Sequence, residues 1–197
     1  MRVLPLFLSL AFIGHCNDSY PSRRSSADEE WRRLREKVAS QQVFLARHGL
    51  NTDVCFLVDM RLPSGKNRFF VYDLRRDSVL MAGLVAHGSG GSNFSAEPVF
   101  SNVDGSGCSS LGRYRVGYKY QGRFGPAYKL YGLDSTNSRA FARNVVLHSY
   151  AAVPERETYP NPICNSLGCP MVSPGFLRML QPVIEGAGKP ICLWVFD

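Results

Sequence analysis

The spacing of apolar residues near the start of the chain predicts a helix. Trp31, Leu34 and Val38 recur at intervals of three and four residues, which places them on one helical face. Ser26 and Glu29 have the spacing of a capping box, and Gly49 provides a stop. The pattern therefore predicts a leading helix over residues 26–48.

From Thr52 onward the pattern changes to short apolar runs separated by turn residues rich in Gly and Pro, which is typical of strands. The runs predict seven strands, over residues 54–60, 69–74, 79–86, 114–120, 128–133, 145–148 and 191–196. Two further helices are predicted, over 138–143 and 174–185. The chain is expected to be a mainly-β domain behind a leading helix.

Residues 1–16 have the pattern of an export signal, with Arg2 before an apolar stretch over 3–14 that is too short to span a membrane. Residues 17–25 are polar and are expected to form a tether, which leaves 26–197 as the folded domain. The run from Ile13 to Cys16 half-resembles a bacterial lipobox, so a lipid anchor at Cys16 is an alternative to simple export. His15 is a poor residue before that cysteine, and we therefore expect export without lipidation.

Composition and charge indicate which kinds of partner and cofactor the protein is expected to lack. With 45% hydrophobic and 20% charged residues, the chain is expected to be globular. Its net charge of +7 comes from scattered residues without a dense basic stripe, which argues against a nucleic-acid partner. The four His and the acidic residues show no ligand spacing, so no metal or organic cofactor is expected, and we expect a monomer without a transmembrane span.

Export changes the interpretation of the cysteines that follow Cys16. They are odd in number, so at least one thiol lacks an internal partner. Two of them lie in apolar runs and are expected to be buried packing residues. Four cysteines remain besides Cys169, namely Cys55, Cys108, Cys164 and Cys192. They allow three pairings, one of which contains a Cys108–Cys164 bridge, and the sequence does not choose among them.

Candidate chemistry concentrates in two segments. His148 ends an apolar strand, and Cys169 follows Gly168 in a polar turn. A cysteine is mostly protonated at neutral pH, so a nucleophilic thiol needs a base such as an imidazole, and we expect His148 to lower the pKa of Cys169. The glycine allows a sharp turn, which makes the amides of Gly168 and Cys169 candidate donors to an oxyanion.

These segments belong to an ordered set that resembles the L,D-transpeptidase catalytic domain family, whose members cross-link or trim bacterial peptidoglycan. The family carries a strand-borne His followed about twenty residues later by Ser-x-Gly-Cys, matched here by His148-Ser149 and 166–169. Similar features run in the family's order from about residue 52 to the end. They include 86–88, 100–102, 109–114, 131–133 and the Gly-Cys-Pro of 168–170.

The resemblance implies a β-sandwich of the L,D-transpeptidase type with the leading helix and short peripheral helices. It implies that Cys169 is the nucleophile and His148 the general base, with Ser149 orienting the imidazole and Gly168 shaping the oxyanion hole. Candidate substrate contacts are His87, Arg143, Ser166 and Tyr150. Many members place an Arg two residues after the cysteine, where this chain has Met171, so the carboxylate anchor is open, with Arg143 and Arg113 as candidates.

The function implied is a peptidoglycan L,D-transpeptidase or L,D-carboxypeptidase that acts on stem peptides in the periplasm or cell envelope. A papain-like peptidase or amidase carries Cys before His, and a sortase carries a Thr-Leu-x-Thr-Cys strand, so both match less well. Asn165, Leu167 and Met171 depart from the family pattern. They favour the alternative of a wall-binding module that kept the fold and lost activity.

Overall fold

The computed structural model describes residues 26–197, so the predicted leader, lipid-anchor site and tether lie outside the described residues. The leading segment forms two helices, α1 (Ser26–Ala39) and α2 (Gln42–Arg47), where one helix over 26–48 was predicted. The break follows from Ser40, whose amide and hydroxyl both bond to Lys37 O and so compete with helical continuation. Leu34 and Val38 are buried, and Trp31 is 40% exposed. The side chain of Ser26, needed for the predicted capping box, lies outside the described atoms.

The rest of the described chain is mainly β, as predicted, with α3 over the residues expected. The strands are β1 (Val54–Asp59), β2 (Phe69–Asp73), β3 (Ser78–Gly83), β4 (Val85–Ala86), β5 (Gly112–Gly122), β6 (Gly125–Gly132), β7 (Val146–Ser149), β8 (Met171–Val172) and β9 (Cys192–Phe196), and the last helix is α3 (Pro174–Glu185). Ser173 caps α3 by accepting from the Phe176 amide, and Pro174 starts it.

One continuous sheet holds all nine strands, in the order β3-β2-β1-β9-β5-β6-β7-β8-β4. Its edge strands, β3 and β4, are joined only by Leu84, so the sheet must curl until its two edges approach each other. The β1–β9 and β7–β8 pairs are parallel, and the other pairs are antiparallel.

Two apolar cores lie on opposite faces of this sheet. Phe56 and Val58 of β1 pack in the core that α3 covers, whereas Cys55 and Leu57 pack in the core beneath α1 and α2. Strand β9 alternates in the same way, which explains why both strands have continuous apolar sequences. Cys55 and Cys192 are each 1% exposed, which confirms their predicted role as packing residues.

Two predictions about the connections were wrong. Residues 138–144 form turns rather than a helix, after a short 3-10 helix at Ser135–Asn137. Asn102 holds this segment by bonding to Ser135 O, Ser138 Oγ and the Arg139 amide, and it ends at Asn144 with a left-handed φ of 56°. The predicted strand over 79–86 is interrupted at Leu84, and the two-residue β8 was not predicted.

Candidate active site

The loop that carries Cys169 is held by backbone bonds to the segment after β4. The Ser166 amide donates to His87 O at 2.8 Å, and Ser166 O accepts from the Ser89 amide at 2.9 Å. The Ser166 hydroxyl then donates to Cys169 O at 2.7 Å and accepts from the Gly168 amide at 3.1 Å. Ser166 therefore closes the loop around the cysteine and holds its shape, although it also lines the cavity beside it.

Gly168 is required at its position by two independent constraints. Its φ of 116° is strained for a side-chain-bearing residue, and a Cβ there would lie 2.5 Å from Cys108 O. Its amide donates to the Ser166 hydroxyl at 3.1 Å, so it could serve an oxyanion, as predicted, only after that bond breaks. The Cys169 amide has no acceptor among residues 26–197, which leaves it as the candidate oxyanion donor.

The thiol of Cys169 contacts backbone rather than a base. Its Sγ accepts from the Val146 amide at 3.5 Å and donates to Asn144 O at 3.8 Å. Burial raises the pKa of Cys169, while the Val146 amide and the charges of Arg143 and Lys129 act to lower it. We expected His148 to lower this pKa, but no hydrogen bond joins the thiol to the imidazole, and the net direction for Cys169 is upward.

His148 lies in β7, beside Met171 of β8, and its side chain is nearly buried at 8% exposure. Its Nδ1 lies 3.0 Å from Ser149 O, which assigns the proton to Nδ1 and leaves Nε2 as the basic atom. Burial lowers the pKa of His148, with the bond to Ser149 acting against it, so the imidazole is neutral at neutral pH. The ring stacks on Phe124 at 5.5 Å between centroids, and Phe124 in turn contacts Tyr150 at 5.2 Å.

Two cavities meet at Cys169 and His148. The larger has a volume of about 630 Å³, and the smaller, of about 200 Å³, lies under the hairpin that joins β5 and β6. Of the predicted site residues, the larger cavity brings together His148, Tyr150, Ser166 and Cys169. It is also lined by residues that sequence reasoning missed, among them Phe94, Phe124 and Cys164.

His87, predicted as a substrate contact, lines neither cavity and is fully buried. Its Nδ1 accepts from Arg68 at 2.8 Å, and its Nε2 lies 3.1 Å from Ser95 O, so both ring nitrogens are occupied. Burial, together with the charge of Arg68, lowers the pKa of His87 to about 4. This residue is a neutral structural element, which corrects the prediction.

Arg68, 19 residues earlier, explains why His87 is held so firmly. Its guanidinium is fully buried and donates to Val85 O and Leu62 O as well as to the imidazole. Burial lowers the pKa of Arg68 to about 10. Because the acceptors are neutral, each of them is needed to stabilise a charge that lies away from water.

Neither arginine proposed as a carboxylate anchor is available for that role. Arg143 donates to Ser101 O, Cys108 O and two serine hydroxyls, which ties the 101–110 loop to the site. Arg113 is bidentate to Asp134, at 2.6 and 3.0 Å, and stacks on Phe44 at 3.8 Å, outside both cavities. Both predictions of substrate binding are therefore corrected, although the charge of Arg143 still acts on Cys169.

Lys129 is a further group that sequence reasoning missed. It is 9% exposed and donates to Asn144 Oδ1 at 2.8 Å, and its ammonium lies 5.0 Å from the Phe141 ring. Lys129 faces Val146 in the β6–β7 register, which brings its charge close to the thiol. No local motif around Lys129 signals this, since the contact depends on strand pairing.

All five cysteines of the described chain are free thiols, so the Cys108–Cys164 bridge is not formed in this structure. Among residues 26–197, no group of three His, Cys, Asp or Glu side chains is placed to hold a metal ion. In the same part of the chain, no helix has the length and apolar character needed to cross a membrane.

Comparisons with known proteins agree with the fold. The family model for the L,D-transpeptidase catalytic domain matches residues 28–194. No curated protein matches the sequence.

Three solved structures illustrate the likeness. The helical cell shape determining protein Pgp2 of Campylobacter jejuni has a TM-score of 0.50 and 11% identity, covering 86% of this chain and 55% of that one. The L,D-transpeptidase of Xylanimonas cellulosilytica has a TM-score of 0.43 and 12% identity, covering 74% of this chain and 61% of that one. The Ldtfm–avibactam carbamoyl enzyme has a TM-score of 0.45 and 16% identity, covering 74% of this chain and 49% of that one. At 11% identity the likeness to Pgp2 concerns the fold alone. The chain spans between 49% and 61% of the length of these three proteins.

Proposed function

The chain belongs to the L,D-transpeptidase catalytic domain family, and from this premise we propose that it is a peptidoglycan L,D-transpeptidase or L,D-carboxypeptidase of the cell envelope. Its substrate is the stem peptide, and Cys169 carries the acyl group. The observation that carries the proposal is that Cys169, in the loop before β8, and a neutral His148, in β7, line the same two cavities.

The first step forms a thioester. The thiol turns from the Val146 amide towards the imidazole, and Nε2 of His148 takes its proton as Sγ attacks the carbonyl carbon of the terminal peptide bond. The carbonyl oxygen becomes an oxyanion that accepts from the Cys169 amide. The C–N bond then breaks, and the terminal D-residue leaves as an amine with the proton that His148 held.

The second step releases the acyl group. An amine of a neighbouring stem attacks the thioester to give a cross-link, or water attacks it to give a trimmed stem. His148 removes the proton from the attacking group, and the thiol of Cys169 is restored. Every proton is moved by His148, so the mechanism needs no cofactor.

A neutral resting pair suits this chemistry. A thiolate–imidazolium pair would have to be stabilised at rest, whereas a neutral thiol and a neutral imidazole exchange the proton only as the attack proceeds. The bond from Nδ1 to Ser149 O fixes the tautomer in which Nε2 is the base. Stacking on Phe124 holds the plane of the ring.

The test is muropeptide analysis of wall digests incubated with the purified protein, with Cys169→Ala as the control. We expect new cross-linked muropeptides, or stems shortened by one residue, together with release of a D-amino acid. Neither product should form with the Cys169→Ala variant. Absence of both products with the wild-type protein would contradict the proposal.

A wall-binding module without activity is the second candidate, and one observation favours it. The thiol contacts the backbone of Val146 and Asn144, and no hydrogen bond joins it to His148. Sedimentation of the protein with insoluble peptidoglycan, measured in parallel with D-amino acid release, separates the two functions. Sedimentation without release would favour the binding module.

A further inference from the structure

The proposed reaction requires an anchor close to the nucleophile. The leaving D-residue is the last of the stem, so its carboxylate lies about one residue length, roughly 3.3–3.6 Å, beyond the scissile carbonyl. A side chain that binds this carboxylate must therefore line a cavity that also contains Cys169. Met171 occupies the position where many family members have an arginine, and Arg143 and Arg113 are bonded elsewhere.

The two cavities differ in charge. The larger is lined by aromatic, aliphatic and small polar residues, and its described lining includes no Asp, Glu, Lys or Arg. The smaller shares Phe124, His148 and Cys169 with it and adds Arg123. Within the described part of the chain, Arg123 is the one ionised residue that lines either cavity around the thiol.

The position of Arg123 is set by the hairpin between β5 and β6. Gly122 pairs with Gly125, so Arg123 and Phe124 form the tip. The guanidinium lies 5.4 Å from the Phe124 ring, and that ring stacks on His148. Arg123 makes no hydrogen bond or ion pair with any group in residues 26–197, so its planar donor set is open to a bidentate carboxylate.

A second donor lies in the same small cavity. Tyr120 is beside the hairpin tip and faces Ala127, which in turn faces His148 in the next pair of strands. Burial and the nearby Cys169 raise the pKa of Tyr120, so its hydroxyl keeps its proton and can donate. The lining of the smaller cavity therefore includes a charged fork, a neutral donor and Cys169.

The geometry points to a subsite for the C-terminal carboxylate of the stem peptide, formed by Arg123 and the Tyr120 hydroxyl in the smaller cavity. The inference rests on the proposed function and adds the direction of binding. The terminal D-residue enters under the hairpin, and the preceding residues of the stem lie in the larger, uncharged cavity. Arg123 thus supplies, near Cys169, a positive charge that this chain lacks at Met171.

The experiment compares two synthetic tetrapeptide stems ending in D-alanine, one with a free carboxylate and one with a C-terminal carboxamide. Release of D-alanine or D-alaninamide gives kcat/KM for each. We expect the wild-type protein to prefer the carboxylate, and Arg123→Gln to lower kcat/KM for it by about 10- to 100-fold while changing the carboxamide less than about threefold. Arg123→Lys should retain part of the preference because it keeps the charge without the fork.

Arg115→Gln is the matched control, because Arg115 stacks on Tyr131 at 3.9 Å on the same hairpin strands and lines neither cavity at Cys169. It should leave both rates unchanged. An equal loss on both peptides in Arg123→Gln, or a wild-type protein that does not discriminate, would overturn the carboxylate subsite and leave the proposed function standing. Failure of the wild-type protein to process either peptide would overturn the proposed function itself.

Discussion

His148 and His87 lie on opposite sides of the strand that follows the nucleophile loop. Strand β8 pairs with β7, which carries His148, and with β4, which His87 follows. His148 lies one residue before the end of β7, His87 lies directly after β4, and burial lowers the pKa of both. Their local sequences are similar, an apolar strand followed by a polar turn, yet the structure gives them different roles.

The difference lies in how many ring nitrogens are occupied. His87 uses both, one for Arg68 and one for Ser95 O, and it has no exposed surface. His148 uses only Nδ1 and borders both cavities. A base needs a free nitrogen that a reacting proton can reach, so a place at the end of an apolar strand is not enough to make a histidine a candidate base.

The largest expected effect separates the two residues by activity. His148→Ala should lower turnover of stem peptides by roughly 10³-fold or more, because base and nucleophile act as one unit. Release of D-amino acid per folded molecule is the measurement, with folding checked by circular dichroism. A loss of less than tenfold would contradict the role given to His148.

The structural role of His87 can be tested by the free energy of unfolding. His87→Phe should destabilise the protein by about 2–4 kcal/mol, because the buried Arg68 loses an acceptor. His87→Asn should recover most of that stability, since its amide oxygen can take the place of Nδ1. Urea unfolding gives both values, and equal destabilisation by the two variants would count against the Arg68 contact as the cause.

A pH titration of stability sharpens the account of His87. Its pKa is about 4 in the folded protein and near 6.5 in an unfolded chain, so below pH 6.5 the unfolded state binds a proton that the folded state does not. Stability should therefore fall by about 2–3 kcal/mol as the pH decreases from 6.5 to 4. His87→Asn should lose less over this window, and parallel curves for the two proteins would refute the assignment.

A smaller effect, on the reactivity of the Cys169 thiol, is expected from the charge of Lys129. Removing its charge in Lys129→Met should raise the pKa of Cys169 and slow alkylation of that thiol at pH 7 by about two- to fivefold. Lys119→Met is the control, because it removes the same charge from an exposed pair with Glu185. Peptide-resolved alkylation rates give the comparison, and an equal change in both variants would mean that proximity to the thiol has no effect.

The sequence predicted the parts of this molecule that local patterns encode. The strands follow runs of apolar residues, and α3 spans the predicted range of 174–185. The ordered set of segments that ends in His148-Ser149 and 166–170 pointed to the family, and the family model matches residues 28–194. Strand β8 was not predicted, because two residues are too few to show an alternating apolar pattern.

The errors at the site share one physical cause, which is contact between residues far apart in sequence. Arg143 was predicted to bind substrate because the sequence does not show its acceptors. They lie in a loop about 35–42 residues earlier in the chain. His87 looked available because Arg68 is not visible as its partner in the sequence. Phe124 and Arg123 were missed because only the fold of the hairpin brings them beside His148.

The most direct test of the account follows acylation of Cys169 by a carbapenem across pH 5–8, by intact mass and peptide mapping. The wild-type protein and His87→Asn should each form one adduct, on Cys169, with a rate that declines only below pH 6.5 because burial lowers the pKa of His148. His148→Ala should acylate at least about 10³-fold more slowly across the whole range. An adduct on another residue, or a His148→Ala variant that acylates at the wild-type rate while His87→Asn does not, would contradict the assignment of Cys169 and His148 as nucleophile and base.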